Sequence, residues 1–217
     1  MSWSVEMTKG KFISLEGPDG SGKTSVVRAL KEMLEASGYD VLTTREPGGS
    51  PIAERIREVI LDVDNTAMDA RTEALLFAAS RRQHLIETIL PALEKGQIVI
   101  TDRFVDSSIA YQGIARGIPV EDIWAINKFG IEDHMPDLTL LIDVSAEVGL
   151  ERIYKAQGQR QFDRLDQESI DFHQMVREAF LNFEKENERI ILVNGSQSVE
   201  EVAQECIAIL KDKDLID

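Results

Sequence analysis

The chain has 217 residues, 43% hydrophobic and 29% charged, which is ordinary for a soluble globular fold and enough for a sizeable core. A formal net charge of −15 excludes a general affinity for nucleic acid or anionic membrane, so an anionic ligand has to meet a local cluster of the 24 basic residues. The single cysteine, Cys206, excludes an intrachain disulfide framework, and no basic leader or membrane-length apolar run is present, so a cytoplasmic protein is expected.

The first predicted strand, residues 12–16, runs into Gly17-Pro18-Asp19-Gly20-Ser21-Gly22-Lys23-Thr24, and a helical pattern opens near Ser25. Apolar residues recur at Val26, Val27, Leu30, Met33 and Leu34, one buried helix face, and Gly38 stands where a helix usually stops. Strand, glycine loop and helix in that order make a phosphate cradle. The glycines let backbone N–H groups turn onto phosphate oxygens, Lys23 reaches the outer phosphates, and Thr24 can ligate Mg²⁺. The expected ligand is Mg²⁺ with a nucleoside triphosphate, held by Gly17, Pro18, Asp19, Gly20, Ser21, Gly22, Lys23, Thr24 and Ser25.

Further strands are predicted at 41–44, 97–101, 137–143 and 190–193, with helices filling the gaps. Strands separated by helices need crossovers, so the expected fold is α/β: a parallel five-stranded sheet with helices on both faces and ligands at the carboxyl ends of the strands. No linker divides 1–217, which reads as a single domain. After the second strand comes Thr44-Arg45-Glu46-Pro47-Gly48-Gly49-Ser50, with Pro51 at an expected first helical position and Arg57 one or two turns along. Arginines converging from a strand end and a helix suit a dianionic phosphate, which a guanidinium can clamp bidentately, although each alone is an ordinary surface charge. A helix over about 69–90 carries Phe77 and Arg81 four residues apart on one side. An aromatic at that spacing is usually core, yet a ring beside an arginine can also stack on a planar base while the guanidinium bonds its edge.

Ile98-Val99-Ile100-Thr101-Asp102 is an apolar strand ending in a carboxylate, where phosphate-loop enzymes keep an acid beside the metal or the acceptor. Taken alone, the Asp could be a turn residue. Arg103 follows directly, and Asp106 is predicted to cap a helix from which Ser108, Tyr111 and Gln112 project together. Residues 155–168 are polar and lie between helical patterns, suiting either a solvated connection or a lid. His84, His134 and His173 have no metal-ligand spacing.

Four segments together resemble bacterial thymidylate kinases: Gly-Pro-Asp-Gly-Ser-Gly-Lys-Thr, then Thr-Arg-Glu-Pro-Gly-Gly, then Arg71-Thr-Glu-Ala-Leu-Leu-Phe-Ala-Ala-Ser-Arg-Arg, and Asp102-Arg103-Phe104-Val105-Asp106-Ser-Ser-Ile-Ala-Tyr-Gln-Gly. The resemblance implies the P-loop nucleoside-monophosphate-kinase fold, ATP-dependent phosphorylation of dTMP to dTDP, and commonly a homodimer. It also implies that Phe77 stacks on thymine, Arg81 bonds its carbonyl edge, Ser108 and Gln112 help hold the base, and Tyr111 crowds the place of a ribose hydroxyl. Arg45, Arg57 and Arg103 would hold the monophosphate, with Glu46 near the sugar or metal. Asp19 would contact the acceptor side, and Thr24 with Asp102 would serve the metal. The phosphate loop carries no arginine, so Arg160 and Arg164 of the lid match the bacterial pattern for meeting transition-state charge. Phe104 departs from the pattern, where Tyr is frequent, and loses a hydroxyl. A kinase for another nucleoside monophosphate stays open as an alternative. A nucleotide-dependent switch is the weaker one, since Asn127-Lys128-Phe129-Gly130 lacks the acid of the Asn-Lys-x-Asp guanine motif.

Overall fold

The computed structural model describes residues 10–156 and 164–217. Five strands form one parallel sheet: β1 (Lys11–Glu16), β2 (Val41–Arg45), β3 (Ile98–Asp102), β4 (Leu138–Asp143) and β5 (Ile190–Asn194). Their order is β2-β3-β1-β4-β5. The glycine loop therefore leaves the central strand, and the ends of β2 and β3 lie beside it. Buried strands need apolar residues facing both layers, and the β1, β3 and β4 runs supply them.

On one face, α1 (Lys23–Ala36) and α9 (Val199–Asp212) close a core around Ile13, Leu30, Ile100, Leu140 and Leu210. The other face carries α3 (Ala70–His84), α4 (Leu90–Glu94), α5 (Val105–Ser108), α6 (Val120–Ile131) and α8 (Ile170–Glu186), packed through two clusters that include Leu85, Val99 and Phe104 in one and Tyr111, Leu141 and Phe180 in the other. The remaining helices are α2 (Pro51–Leu61) and α7 (Ala146–Lys155). Local signals set the helix starts. Pro51 stands in the first turn of α2, Asp69 accepts from the N–H groups of Arg71 and Thr72, and Ser198 forms a capping box with Glu201.

Two sequence expectations shift. The predicted helix at 69–90 is α3, followed by a π-helical turn at Leu85–Ile89 and then α4. Pro91 offers no N–H and its ring crowds the preceding turn, so the helix widens just before it. Asp106 does not cap its helix. It lies inside the first turn of α5 and is buried, and its carboxylate accepts from Arg189 at 2.8 and 3.0 Å. A buried carboxylate is stabilised more by a guanidinium than by an exposed cap site. The chain after α5 continues as a π-helical segment, Ile109–Ala115.

Candidate active site

One cavity of about 440 Å³ opens at the carboxyl ends of β1, β2 and β3. The glycine loop and the first turn of α1 form one wall, with Asp19, Gly20, Gly22, Lys23, Thr24 and Ser25. Gly20 has φ +73, and a Cβ there would lie 2.1 Å from the carbonyl oxygen of Gly149 in α7. Gly149 is matched to it, since its own Cβ would come within 2.3 Å of the Asp19 carbonyl oxygen. Only two glycines allow α7 to press the loop into shape this closely.

Lys23 is buried, and its ammonium donates to the carbonyls of Gly17 (3.0 Å) and Pro18 (2.9 Å) and to Ser21 Oγ (3.2 Å). Burial, and then the charge of Arg103, bring its pKa down to about 8 against the pull of nearby carboxylates. Thr24 Oγ1 donates to Asp102 Oδ2 at 2.7 Å, so the two residues expected to serve a metal adjoin each other. A hydroxyl and a carboxylate are hard oxygen donors, the set with which Mg²⁺ is held beside substrate phosphates, and both border the cavity. Among the described residues no cluster of three or more His, Cys, Asp or Glu offers a protein-only metal cage.

Across the cavity stand Arg45, Glu46, Arg57 and Arg103. Arg45 and Arg57 both donate to the Pro47 carbonyl, at 3.1 and 2.8 Å, which points two guanidinium groups toward one turn. Arg103 has φ 74, a left-handed backbone that a non-glycine residue adopts only when its surroundings hold it there. Its N–H reaches the Leu15 carbonyl at 2.9 Å, its guanidinium binds Gly17 O, Ser107 Oγ and Asp19 Oδ1, and it lies over the Tyr111 ring. Asp19 completes this clamp by accepting from Tyr111 Oη at 2.8 Å. Burial alone would raise its carboxyl, but Arg103, Lys23 and Tyr111 hold it below the usual range. Asp19 thus steadies Arg103 and Tyr111.

The third wall holds Phe77, Arg81, Ser108, Tyr111 and Gln112. Arg81 is 2% exposed yet charged, and its guanidinium donates to Glu46 (2.7 Å), Ser108 Oγ (2.9 Å), Phe104 O (3.0 Å) and Asn127 Oδ1. Glu46 is fixed from its other oxygen by His84 (3.0 Å), which in turn meets Thr44 Oγ1 (2.7 Å). Glu46 therefore orients Arg81 with its side chain, while its backbone N–H donates to the Asp102 carbonyl at 2.9 Å. Phe104 is fully buried, edge-on to Phe12 and beneath Arg81, a purely apolar role that a phenylalanine fills.

Of the two expected lid arginines, only Arg164 falls within the described residues. Arg160 lies outside the described residues. Arg164 is buried, but it does not border the main cavity; its guanidinium donates to Ile60 O (3.1 Å) and Glu73 (2.6 Å). Sequence reasoning passed over Arg152, whose guanidinium spans Gly20 O, Ser21 O and Gly195 O above the phosphate loop, and Glu73, which holds Gln112 of the third wall. Neither stands in a motif with its partners, so only folding reveals them.

Two anion-binding surfaces that face each other over one cavity meet the demand of moving a phosphoryl group between two anionic molecules. On this sheet they define a phosphate-loop phosphotransferase of the nucleoside-monophosphate-kinase fold. Residues 15–206 match the family model described as thymidylate kinase. A thymidylate kinase of Halalkalibacterium halodurans is 55% identical over 208 residues, covering 95% of this chain and 99% of the relative, and one of Clostridium novyi is 53% identical, covering 94% and 100%. The crystal structure of thymidylate kinase from Ehrlichia chaffeensis superposes with a TM-score of 0.75 at 34% identity, covering 94% of this chain and 99% of that one. The chain belongs to the thymidylate kinase family.

Proposed function

We propose that the protein transfers the γ-phosphoryl group of ATP to dTMP, giving dTDP for DNA precursor synthesis. The observation that carries this reading is the continuity of one cavity from Lys23 and the glycine loop to Arg45, Arg57 and Arg103, with Phe77 and Arg81 beyond them. The loop amides and Lys23 hold the triphosphate, and the three arginines hold the monophosphate so that one of its oxygens lies in line with the γ-phosphorus. That oxygen is already deprotonated at neutral pH, so no general base is required. As the new O–P bond forms, the bond from the γ-phosphorus to the bridging oxygen breaks, and ADP leaves with the electron pair. Lys23 and Arg103 neutralise the charge that spreads over the transferring group. Thr24 and Asp102 would hold Mg²⁺, which supplies further charge neutralisation at the phosphates when bound.

In this reading Phe77 stacks on thymine, Arg81 and Ser108 meet its polar edge with Gln112, and Tyr111 fills the place of a ribose hydroxyl. The 217 residues act as one domain with 155–168 as a lid that excludes water, Arg160 contributes lid charge, and Arg164 anchors the lid end on Glu73. The enzyme works as a homodimer in the cytoplasm. Support for the dimer comes from large apolar side chains left exposed on neighbouring α2, α3 and α6, among them Val59, Leu75 and Phe129, the last 90% exposed. For the compartment, the support is a lone, buried Cys206 and the lack of a membrane-crossing helix among the described residues. A coupled assay of ADP release against dTMP, dUMP, AMP and CMP tests the reading. Strong preference for dTMP is expected, and equal turnover of dTMP, AMP and CMP overturns it.

A further inference from the structure

Glu73 lies on α3 four residues before Phe77 and eight before Arg81, and only 1% of it is exposed. The phosphate chemistry makes no use of this carboxylate. It accepts from Gln112 Nε2 at 2.9 Å, from Arg116 at 3.2 and 3.4 Å and from Arg164 at 2.6 Å. Burial on its own would raise this carboxyl, but Gln112, Arg116 and Arg164 hold it below the usual range.

A carboxylate that carries its charge can accept hydrogen bonds and cannot donate one. The two ends of a glutamine amide are chemically opposite, one NH₂ and one carbonyl. Beside Glu73 only the NH₂ end is tolerated, which fixes the way the Gln112 amide faces. The carbonyl Oε1 of Gln112 is then the end left for the cavity that Gln112 borders. Arg81, on the same wall, offers donors only.

We propose that Glu73 is a positioning residue for base selection: by holding the Gln112 amide with its carbonyl toward the cavity, it makes the pocket choose a pyrimidine that carries N3–H beside a 4-oxo group. This rests on the reading that the pocket takes dTMP. A 4-oxo pyrimidine offers a donor to Gln112 Oε1 and an acceptor to Arg81. A 4-amino pyrimidine offers the reverse at both atoms and leaves two buried polar contacts unmade.

The test compares dTMP and dCMP as acceptors for the full chain and its Glu73→Gln variant at saturating ATP. A glutamine at 73 can present either end to Gln112, so the amide is free to turn. The ratio of kcat/KM for dTMP over dCMP is expected to fall about tenfold or more, through a raised KM for dTMP with an unchanged KM for ATP. Glu73→Asp, which keeps the charge, should retain more of the ratio than Glu73→Gln. Adding Glu73→Gln to Gln112→Met should bring no further loss in the ratio. An unchanged ratio in Glu73→Gln overturns the proposal.

Should Glu73→Gln fail to fold because Arg116 and Arg164 lose their partner, the wild-type protein still answers. The side-chain NH₂ signals of Gln112, assigned by their loss in Gln112→Met, are expected to exchange slowly with solvent and to include one strongly downfield proton; rapid exchange with no such proton overturns the proposal. A wild-type enzyme without preference for dTMP over AMP and CMP sinks the functional reading instead, whatever Glu73 does.

Discussion

The two ends of the cavity are built by different physics. At the phosphate end, Gly17 to Ser25 are contiguous, and in the proposed reaction the binding groups are backbone amides at a helix N-terminus, so nine residues in a row would carry most of that end's chemistry. At the base end, Arg81 meets partners 23 to 46 residues away in sequence, and Gln112 meets Glu73 at a separation of 39. A loop made of main chain tolerates side-chain change as long as its glycines stay. A pocket made of buried charged side chains depends on every partner, because a lost one leaves a desolvated group unpaired.

The largest break belongs to the phosphate end. Lys23→Met keeps the volume and removes the charge, and single-turnover phosphoryl transfer should slow by about 10³-fold with the fold intact by circular dichroism. A loss below tenfold would show that the loop amides alone carry the charge. At the base end, Arg81→Lys removes a planar fork that serves four acceptors, so kcat/KM for dTMP should fall by about 10²-fold while KM for ATP stays within twofold. Loss of both equally would show that the two ends are not separable.

The close contact of α7 with the loop sharpens the contrast. Gly149→Ala places a Cβ against the Asp19 carbonyl, and strain there should raise KM for ATP by about tenfold and lower thermal stability by about 1–3 kcal/mol, with dTMP affinity little changed. Equilibrium unfolding in urea and substrate titrations read the two effects.

The smallest effect concerns Glu16, a fully buried carboxyl behind the loop that accepts from Phe104 N–H and Ser107 Oγ. Burial, then the charge of Asp106, push its pKa up from 4.5 to about 7. Between those values the folded chain keeps a proton that the unfolded chain has lost, so this contribution is fully present below pH 4.5 and is lost as pH rises through 7. Glu16→Gln should remove a pH-dependent part of the unfolding free energy of at most about 3 kcal/mol between pH 5 and 8. An unchanged slope would place the proton elsewhere. Lys23 adds a counterpart in binding, since a pKa of about 8 predicts weaker ATP binding as pH climbs above that value.

Much of this site was legible in the chain before folding. The five strands lie within a residue or so of their expected bounds, because β-branched runs between helical periods admit few other assignments. Phe77 and Arg81 share a wall because four residues make about one turn. The Asp106 cap failed because local preference could not foresee Arg189, 83 residues away. The reach of Arg164 was likewise hidden, since its partner Glu73 lies 91 residues earlier, on α3.

By itself the sequence determined the phosphate loop with its glycines and the strand and helix order, since all of these follow from local conformational preference and short spacing. Only the tertiary structure decided which carboxylate each buried arginine would face, and therefore how Arg81, Arg103 and Gln112 are aimed. Ion pairs and hydrogen bonds between distant segments form only once the sheet has brought those segments together, and short-range spacing carries no record of them.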